Sequence, residues 1–247
     1  MESAVEAGAQ PRHALAVAGG VVLDLGYAVW RHAASVLQGR VAAPRVHAPA
    51  QNHGEPAVQA DIVLIPGIYE PAGFMDPLRR RLQARGHRVI VLPELGYNRR
   101  TIPQCAALAA ARLRELGVRD AVVIAHSKRG LIGKLLMTAP DTADLVARML
   151  AVGTPFEGTS YSRYAPTRPL RSFYPGHPVM GHLAKNLEVN SQIVSVGAAI
   201  DPLIGRTTRL EGARNILLPI TGHFRVLGDS GFLAVVDHFV ASREQGE

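Results

Sequence analysis

The feature that most constrains this chain is the run Val122-Val123-Ile124-Ala125-His126-Ser127-Lys128-Arg129-Gly130-Leu131-Ile132. A short apolar stretch of strand character drives into a small residue, a serine, and then a glycine that opens an apolar helix. No loop separates the two, so the chain must turn sharply at Ser127. A serine in such a strand-to-helix turn is thrust out of the backbone. Its hydroxyl is exposed, and the helix N-terminus behind it is electropositive. These are the needs of a nucleophilic serine, which obliges the rest of the chain to supply an acid, a base and an oxyanion-binding loop.

The surrounding sequence has a matching rhythm. Ile62-Val63-Leu64-Ile65 is an apolar run ending in Pro66-Gly67, followed by a helical pattern at about residues 74–84. Residues 87–92 form the next strand candidate, residues 103–116 an alanine- and leucine-faced helix, and residues 120–125 the strand that enters the turn. Helix at 130–137, strands at 146–152, 193–199 and 215–218, and a closing helix at 232–240 complete the pattern. Strands alternating with helices mean crossover connections and a mostly parallel sheet of about six strands with helices on both faces. The fold class is α/β, and ligands bind at the carboxyl ends of such strands.

Residues 156–190 break the rhythm with Tyr161, Tyr164, Phe173, Tyr174 and several prolines and arginines. A long irregular insertion over the carboxyl ends reads as a lid. Upstream of residue 61 the organisation is different. Residues 1 to about 12 read as a disordered tail, 13–38 as a helix with Trp30 near its end, and 39–60 as a Pro/Ala-rich linker or irregular wrap. The division is therefore 1–60 for the N-terminal segment and 61–247 for the α/β domain.

With 247 residues, 47% apolar and 19% charged, the chain is long enough for one well-buried domain. The net charge of +7 fits a basic solvated surface, an anionic membrane surface or an anionic substrate. The arginines are spread rather than clustered and no aromatic stacking module accompanies them, which argues against nucleic acid. Cys105 is the only cysteine, so there is no internal disulfide and no cysteine-built zinc site. The apolar stretch 14–23 ends at Asp24, short of a membrane span, and lacks the flanks of a secretory signal. The expectation is a cytoplasmic protein whose first helix packs on the body or lies on a membrane surface.

Serine needs a base to take its proton, and the base needs a carboxylate to orient it. Asp201-Pro202 follows the strand ending near Ile200, and Gly222-His223 follows the strand ending near Pro219. The order Ser127, Asp201, His223 matches one hydrolase fold and differs from two others. Taken singly, each has an ordinary reading as helix cap, turn or loop. Glu157, after the strand ending at Val152, is the rival acid. His126 should face away from Ser127, because adjacent strand residues point to opposite faces. His177 and His182 lie in the insertion as pocket lining. The oxyanion donors are the backbone N–H of Lys128 and of Ile68 after Gly67, with Tyr69 as the alternative to Ile68.

On these motifs, together with Gly153-Thr154-Pro155, the chain resembles the α/β-hydrolase superfamily, and within it bacterial lipases and esterases, over residues 61–240. The resemblance implies a serine ester hydrolase acting on a small-molecule ester or lipid, without metal or cofactor. The insertion would supply an apolar acyl pocket. Two positions depart from the family pattern. Arg129 stands where the elbow usually carries glycine, with Gly130 one residue late, and Pro66 replaces a frequent histidine. A catalytically impaired ligand- or partner-binding protein, and an acyltransferase using the same three residues, remain as alternatives.

Overall fold

The computed structural model describes residues 3–37, 45–47, 60–95, 100–205 and 207–242. Its centre is a sheet whose strands follow the expected rhythm: β1 (Arg45–His47), β2 (Ile62–Ile65), β3 (Val89–Val91), β4 (Ala121–His126), β5 (Val146–Val152), β6 (Ile193–Ile200) and β7 (Arg214–Thr221). The spatial order is β1-β3-β2-β4-β5-β6-β7. All neighbours pair in parallel except β1, which lies antiparallel on β3 with Val46 opposite Ile90.

Parallel strands covered on both faces need apolar residues at every position, and β2, β3 and β4 are buried throughout. The pleat then sorts them. Val63, Ile65, Val123 and Ala125 face a core formed with α3 (Ile102–Glu115) and α4 (Arg129–Thr138). Ile62, Leu64, Val122 and Ile124 face the opposite core, with α2 (Asp76–Ala84) and α7 (Ser230–Ala241). Burial of each of these valine, leucine and isoleucine side chains stabilises the fold by about 1.5–3 kcal/mol. The helix starts are locally encoded as well. The Gln104 side chain accepts the Thr101 N–H ahead of α3, and Asp229 accepts the N–H groups of Gly231 and Phe232 ahead of α7.

Three segments differ from the sequence reading. The tail expected over residues 1 to about 12 is helical from Ser3, as part of α1 (Ser3–Leu37). The alanines at positions 4, 7 and 9 favour helix in spite of Pro11. The segment read as a linker contributes β1, the antiparallel edge strand; the rest of it, residues 39–44 and 48–59, lies outside the described residues. The insertion at 156–190 holds two short helices, α5 (Arg168–Arg171) and α6 (Pro178–Lys185). Val179, Met180 and Leu183 of α6 join the core beside α4.

Candidate active site

Strand β4 ends at His126 and α4 begins at Arg129, so the turn between them is as tight as the sequence requires. Ser127 takes φ +56, a left-handed conformation that costs a non-glycine residue about 1–3 kcal/mol. The surroundings hold it there. Its N–H donates to the Val152 carbonyl at 2.7 Å, and its carbonyl accepts the Thr154 hydroxyl at 2.9 Å. A Cβ at position 130 would lie 2.1 Å from the Thr154 hydroxyl, so the close helix-to-strand approach falls at Gly130. Arg129 is buried with its guanidinium donating to the Leu95 carbonyl at 3.3 Å. The glycine one residue late is therefore the glycine this elbow uses.

The loops after β6 and β7 bring the other two residues to Ser127. His223 Nε2 is 2.9 Å from Ser127 Oγ, and His223 Nδ1 is 2.6 Å from Asp201 Oδ2. The second oxygen of Asp201 accepts the N–H groups of Leu203 and Ile204, which fixes the carboxylate plane. A carboxylate at Nδ1 makes that nitrogen the N–H donor. The Nε2 lone pair then faces the serine hydroxyl. His223 and Asp201 are both buried. Glu157, the rival acid, is exposed and has no contact with His223 among the described residues. Gly153 sits beneath the imidazole at φ +56, where a Cβ would come 3.1 Å from His223 Cε1. The Gly-Thr-Pro motif thus makes room for the histidine with its first residue and anchors the serine with its second.

The main chain of His223 is gripped from two sides. Asp24 of α1, only 1% exposed, accepts the N–H groups of His223, Phe224 and Arg225 at 2.9, 2.7 and 2.7 Å. His126 Nε2 lies 3.0 Å from the His223 carbonyl, and its Nδ1 lies 2.6 Å from Glu70 Oε1. Both ring nitrogens of His126 face acceptors, so the ring donates twice and is an imidazolium. Burial alone would push its pKa down. The Glu70 charge and its hydrogen bond outweigh burial, aided by the His223 carbonyl, and raise it. His126 makes no contact with Ser127 among the described residues, in keeping with its place on the strand.

Glu70 also shapes the loop after β2. Its Oε2 accepts the Gly67 N–H at 2.5 Å. A Cβ at Gly67 would meet the Glu70 carboxylate at 2.8 Å and His126 at 3.0 Å, so glycine is required for close approach. The left-handed residue of this loop is Tyr69, at φ +59. Helix α1 holds the same loop from outside. Arg31 donates to the carbonyls of Gly73 and Phe74 at 2.6 and 2.9 Å, and His32 Nε2 lies 2.7 Å from the Tyr69 carbonyl. The backbone N–H groups of Ile68 and Lys128 have no acceptor among the described residues.

The Lys128 side chain runs from the elbow to the insertion, where its amine donates to the Pro169 carbonyl and lies 5.1 Å over the Phe173 ring. Burial lowers its pKa to about 7. The aromatic residues expected to form one acyl pocket are dispersed. Phe173 packs against the core, Tyr164 is exposed, and the Tyr174 ring lies 5.8 Å from the Arg163 guanidinium. The side chain of Tyr161 lies outside the described residues. A cavity of about 600 Å³ lies on the Asp201 side of the insertion, lined among others by Glu157, Ser160, Pro175, Leu203 and Thr207. His177 caps α6 by accepting the Val179 N–H, and His182 contacts Asn186; neither reaches Ser127 among the described residues. No group of three or more His, Cys, Asp or Glu able to hold a metal ion occurs among the described residues.

Sequence reasoning passed over Asp24, Glu70 and His126 as parts of this site. The signal for Asp24 is in the sequence: it is the only acidic residue between residues 14 and 37 of an otherwise largely apolar helix. No protein-family model matches the chain, and no curated protein matches it. Solved structures do. A Bacillus licheniformis lipase in its mature form is 16% identical with a TM-score of 0.61, covering 79% of this chain and 98% of that one. A carboxylesterase of Nitrososphaera gargenis is 13% identical with a TM-score of 0.60, covering 81% and 94%. An enol-lactonase of Burkholderia xenovorans is 16% identical with a TM-score of 0.56, covering 80% and 96%. The chain has the α/β-hydrolase fold.

Proposed function

We propose that this chain is a serine hydrolase that cleaves carboxylic esters through an acyl-enzyme. Ser127 Oγ attacks the ester carbonyl carbon while His223 Nε2 takes its proton. The oxyanion is received by the N–H groups of Ile68 and Lys128. As the carbon–oxygen bond to the leaving group breaks, His223 returns the proton to the departing alcohol. Water, deprotonated by the same nitrogen, then attacks the acyl-enzyme and releases the acid and Ser127. Asp201 keeps the imidazole in its working tautomer and stabilises the cation that forms.

The observation that carries this reading is the continuous chain from Ser127 Oγ through His223 to Asp201, at 2.9 and 2.6 Å, on a serine held at positive φ. The lipase and carboxylesterase among the similar folds support an ester, including a lipid-like one, as the substrate class. The reading as an impaired binding protein drew on Arg129. With the close approach at Gly130, that residue no longer favours it. Acyl transfer would use the same residues and is separated by product analysis.

The test is labelling with a fluorophosphonate probe. Folded wild-type protein should label, and Ser127→Ala should not while melting at a similar temperature. Absence of labelling in folded wild type, or ester turnover retained by Ser127→Ala, would overturn the assignment.

A further inference from the structure

Helix α1 is inverted relative to a helix packed on a soluble body. Its buried face consists of Gly20, Asp24, Ala28, Arg31 and Ser35. Its outward face carries Leu15, Val22, Leu25, Val29, Trp30 and Val36, with Val29 69% and Trp30 57% exposed. The inward residues recur every three or four positions; Asp24 holds the His223 loop, and Arg31 holds the carbonyls of Gly73 and Phe74. The only two charges between residues 14 and 37, Asp24 and Arg31, are both spent there. At 3.6 residues per turn these outward apolar residues cover an arc of about 140°. A coiled-coil seam is narrower than that.

We infer that this outward face of α1 lies in the surface of an anionic lipid bilayer, parallel to its plane, with the α/β body outside. Three observations choose this occupant. The arc is wide enough to be immersed rather than zipped against one partner helix. The chain carries a net charge of +7, which repels a second copy and attracts anionic headgroups. Two arginines flank the helix. Arg80 is exposed on α2 close to Arg31, and Arg225 is half-buried on the loop whose N–H groups Asp24 accepts.

Residues Ala14–Leu37 are long and apolar enough to cross a bilayer by length and composition. Crossing would carry Asp24 and Arg31 into hydrocarbon and strip the contacts they make with the body. Lying in the plane keeps those contacts and still takes the apolar face out of water. The inference goes beyond the proposed hydrolysis and stands independently of it.

Trp30 is the chain's single tryptophan, so its emission reports this face alone. The full chain is mixed with vesicles of phosphatidylglycerol and phosphatidylcholine in equal parts, and with phosphatidylcholine alone. Binding is read by cosedimentation and by Trp30 emission. The expected result is a blue shift and sedimentation with the anionic vesicles, weakened by molar salt and by neutral lipid. A Val22→Ser/Val29→Ser/Val36→Ser variant, checked as folded by its thermal melt, should partition at least about ten-fold less. Three results would overturn the inference. The first is no binding of wild type to either vesicle. The second is binding indifferent to both salt and anionic lipid, which marks a spanning helix. The third is a lipid-free dimer with Trp30 already shielded, lost in the triple variant, which gives the face to a second copy.

Discussion

The carboxylate of Asp24 accepts the backbone N–H of His223 at 2.9 Å, joining the first helix to the last loop of the site across 199 positions. The same buried side chain accepts two further N–H groups, from the half-buried Phe224 and Arg225. Asp24→Ala leaves three donors without partners, at about 1–3 kcal/mol each. Stability in urea should fall by about 3 kcal/mol or more. The His223 ring would also lose its fixed distance to Ser127, and misplacement by an ångström costs about 100-fold. Ester turnover should drop in kcat with KM little changed. Asp24→Asn, which keeps one acceptor oxygen, should fall between. Full kcat in folded Asp24→Ala would reduce this residue to a stabilising role.

The pair Glu70 and His126 makes a second prediction, one about pH. The folded pKa of His126 is raised, so its contribution to stability is complete below about pH 6.5, the value of an unfolded histidine. It is lost as pH rises through the folded pKa. Glu70→Gln leaves a buried imidazolium without its counter-ion, and breaking a buried pair costs about 3–5 kcal/mol. The stability difference between wild type and Glu70→Gln should therefore be larger at pH 6 than at pH 9. Urea titrations at the two pH values measure it. A difference independent of pH would mean that His126 is neutral in the fold.

The α/β rhythm was legible because parallel strands buried on both faces must be apolar at each position, as β2 and β4 are. Ser127, Asp201 and His223 are readable as a set because each stands just past the carboxyl end of a strand, β4, β6 and β7. The grip on His223 was not. It comes from Asp24 and His126, which no local pattern links to residue 223, and only packing of α1 and β4 brings them there. The start of α1 is not legible, because a short alanine-containing segment with a glycine and a proline reads equally as tail. The placing of the insertion's aromatics is not legible, because aromatic content does not say which way Phe173 or Tyr164 faces.

Arg129 and Gly130 give opposite expectations from those that the family pattern of the elbow implies. A Cβ at 130 would collide with Thr154, the residue whose hydroxyl holds the Ser127 carbonyl. Gly130→Ala should therefore lower the rate of fluorophosphonate labelling at least about ten-fold, although alanine is the better helix former by about 1 kcal/mol. Arg129→Gly should give no gain in activity. It should lower stability by about 1 kcal/mol or more through lost helix propensity and burial. A large gain in Arg129→Gly would show that the natural elbow is impaired.

Lys128 links the elbow to the insertion by a bond whose worth depends on pH. Burial lowers its pKa to about 7, against about 10.4 in an unfolded chain. Below pH 7 both states hold the proton, and the cost of the buried charge is present in full. Between pH 7 and about 10 the unfolded chain keeps a proton that the folded one has lost, so stability rises with pH. Lys128→Met retains the backbone N–H and removes the amine. The variant should be more stable than wild type at pH 6, by up to about 4 kcal/mol. That advantage should shrink steadily above pH 7. At high pH the order can invert, because the neutral amine still donates to the Pro169 carbonyl and methionine does not. Thermal melts of both proteins across pH 6 to about 9.5 decide it. A wild type more stable than Lys128→Met at pH 6 would mean that the insertion solvates the charged amine in place.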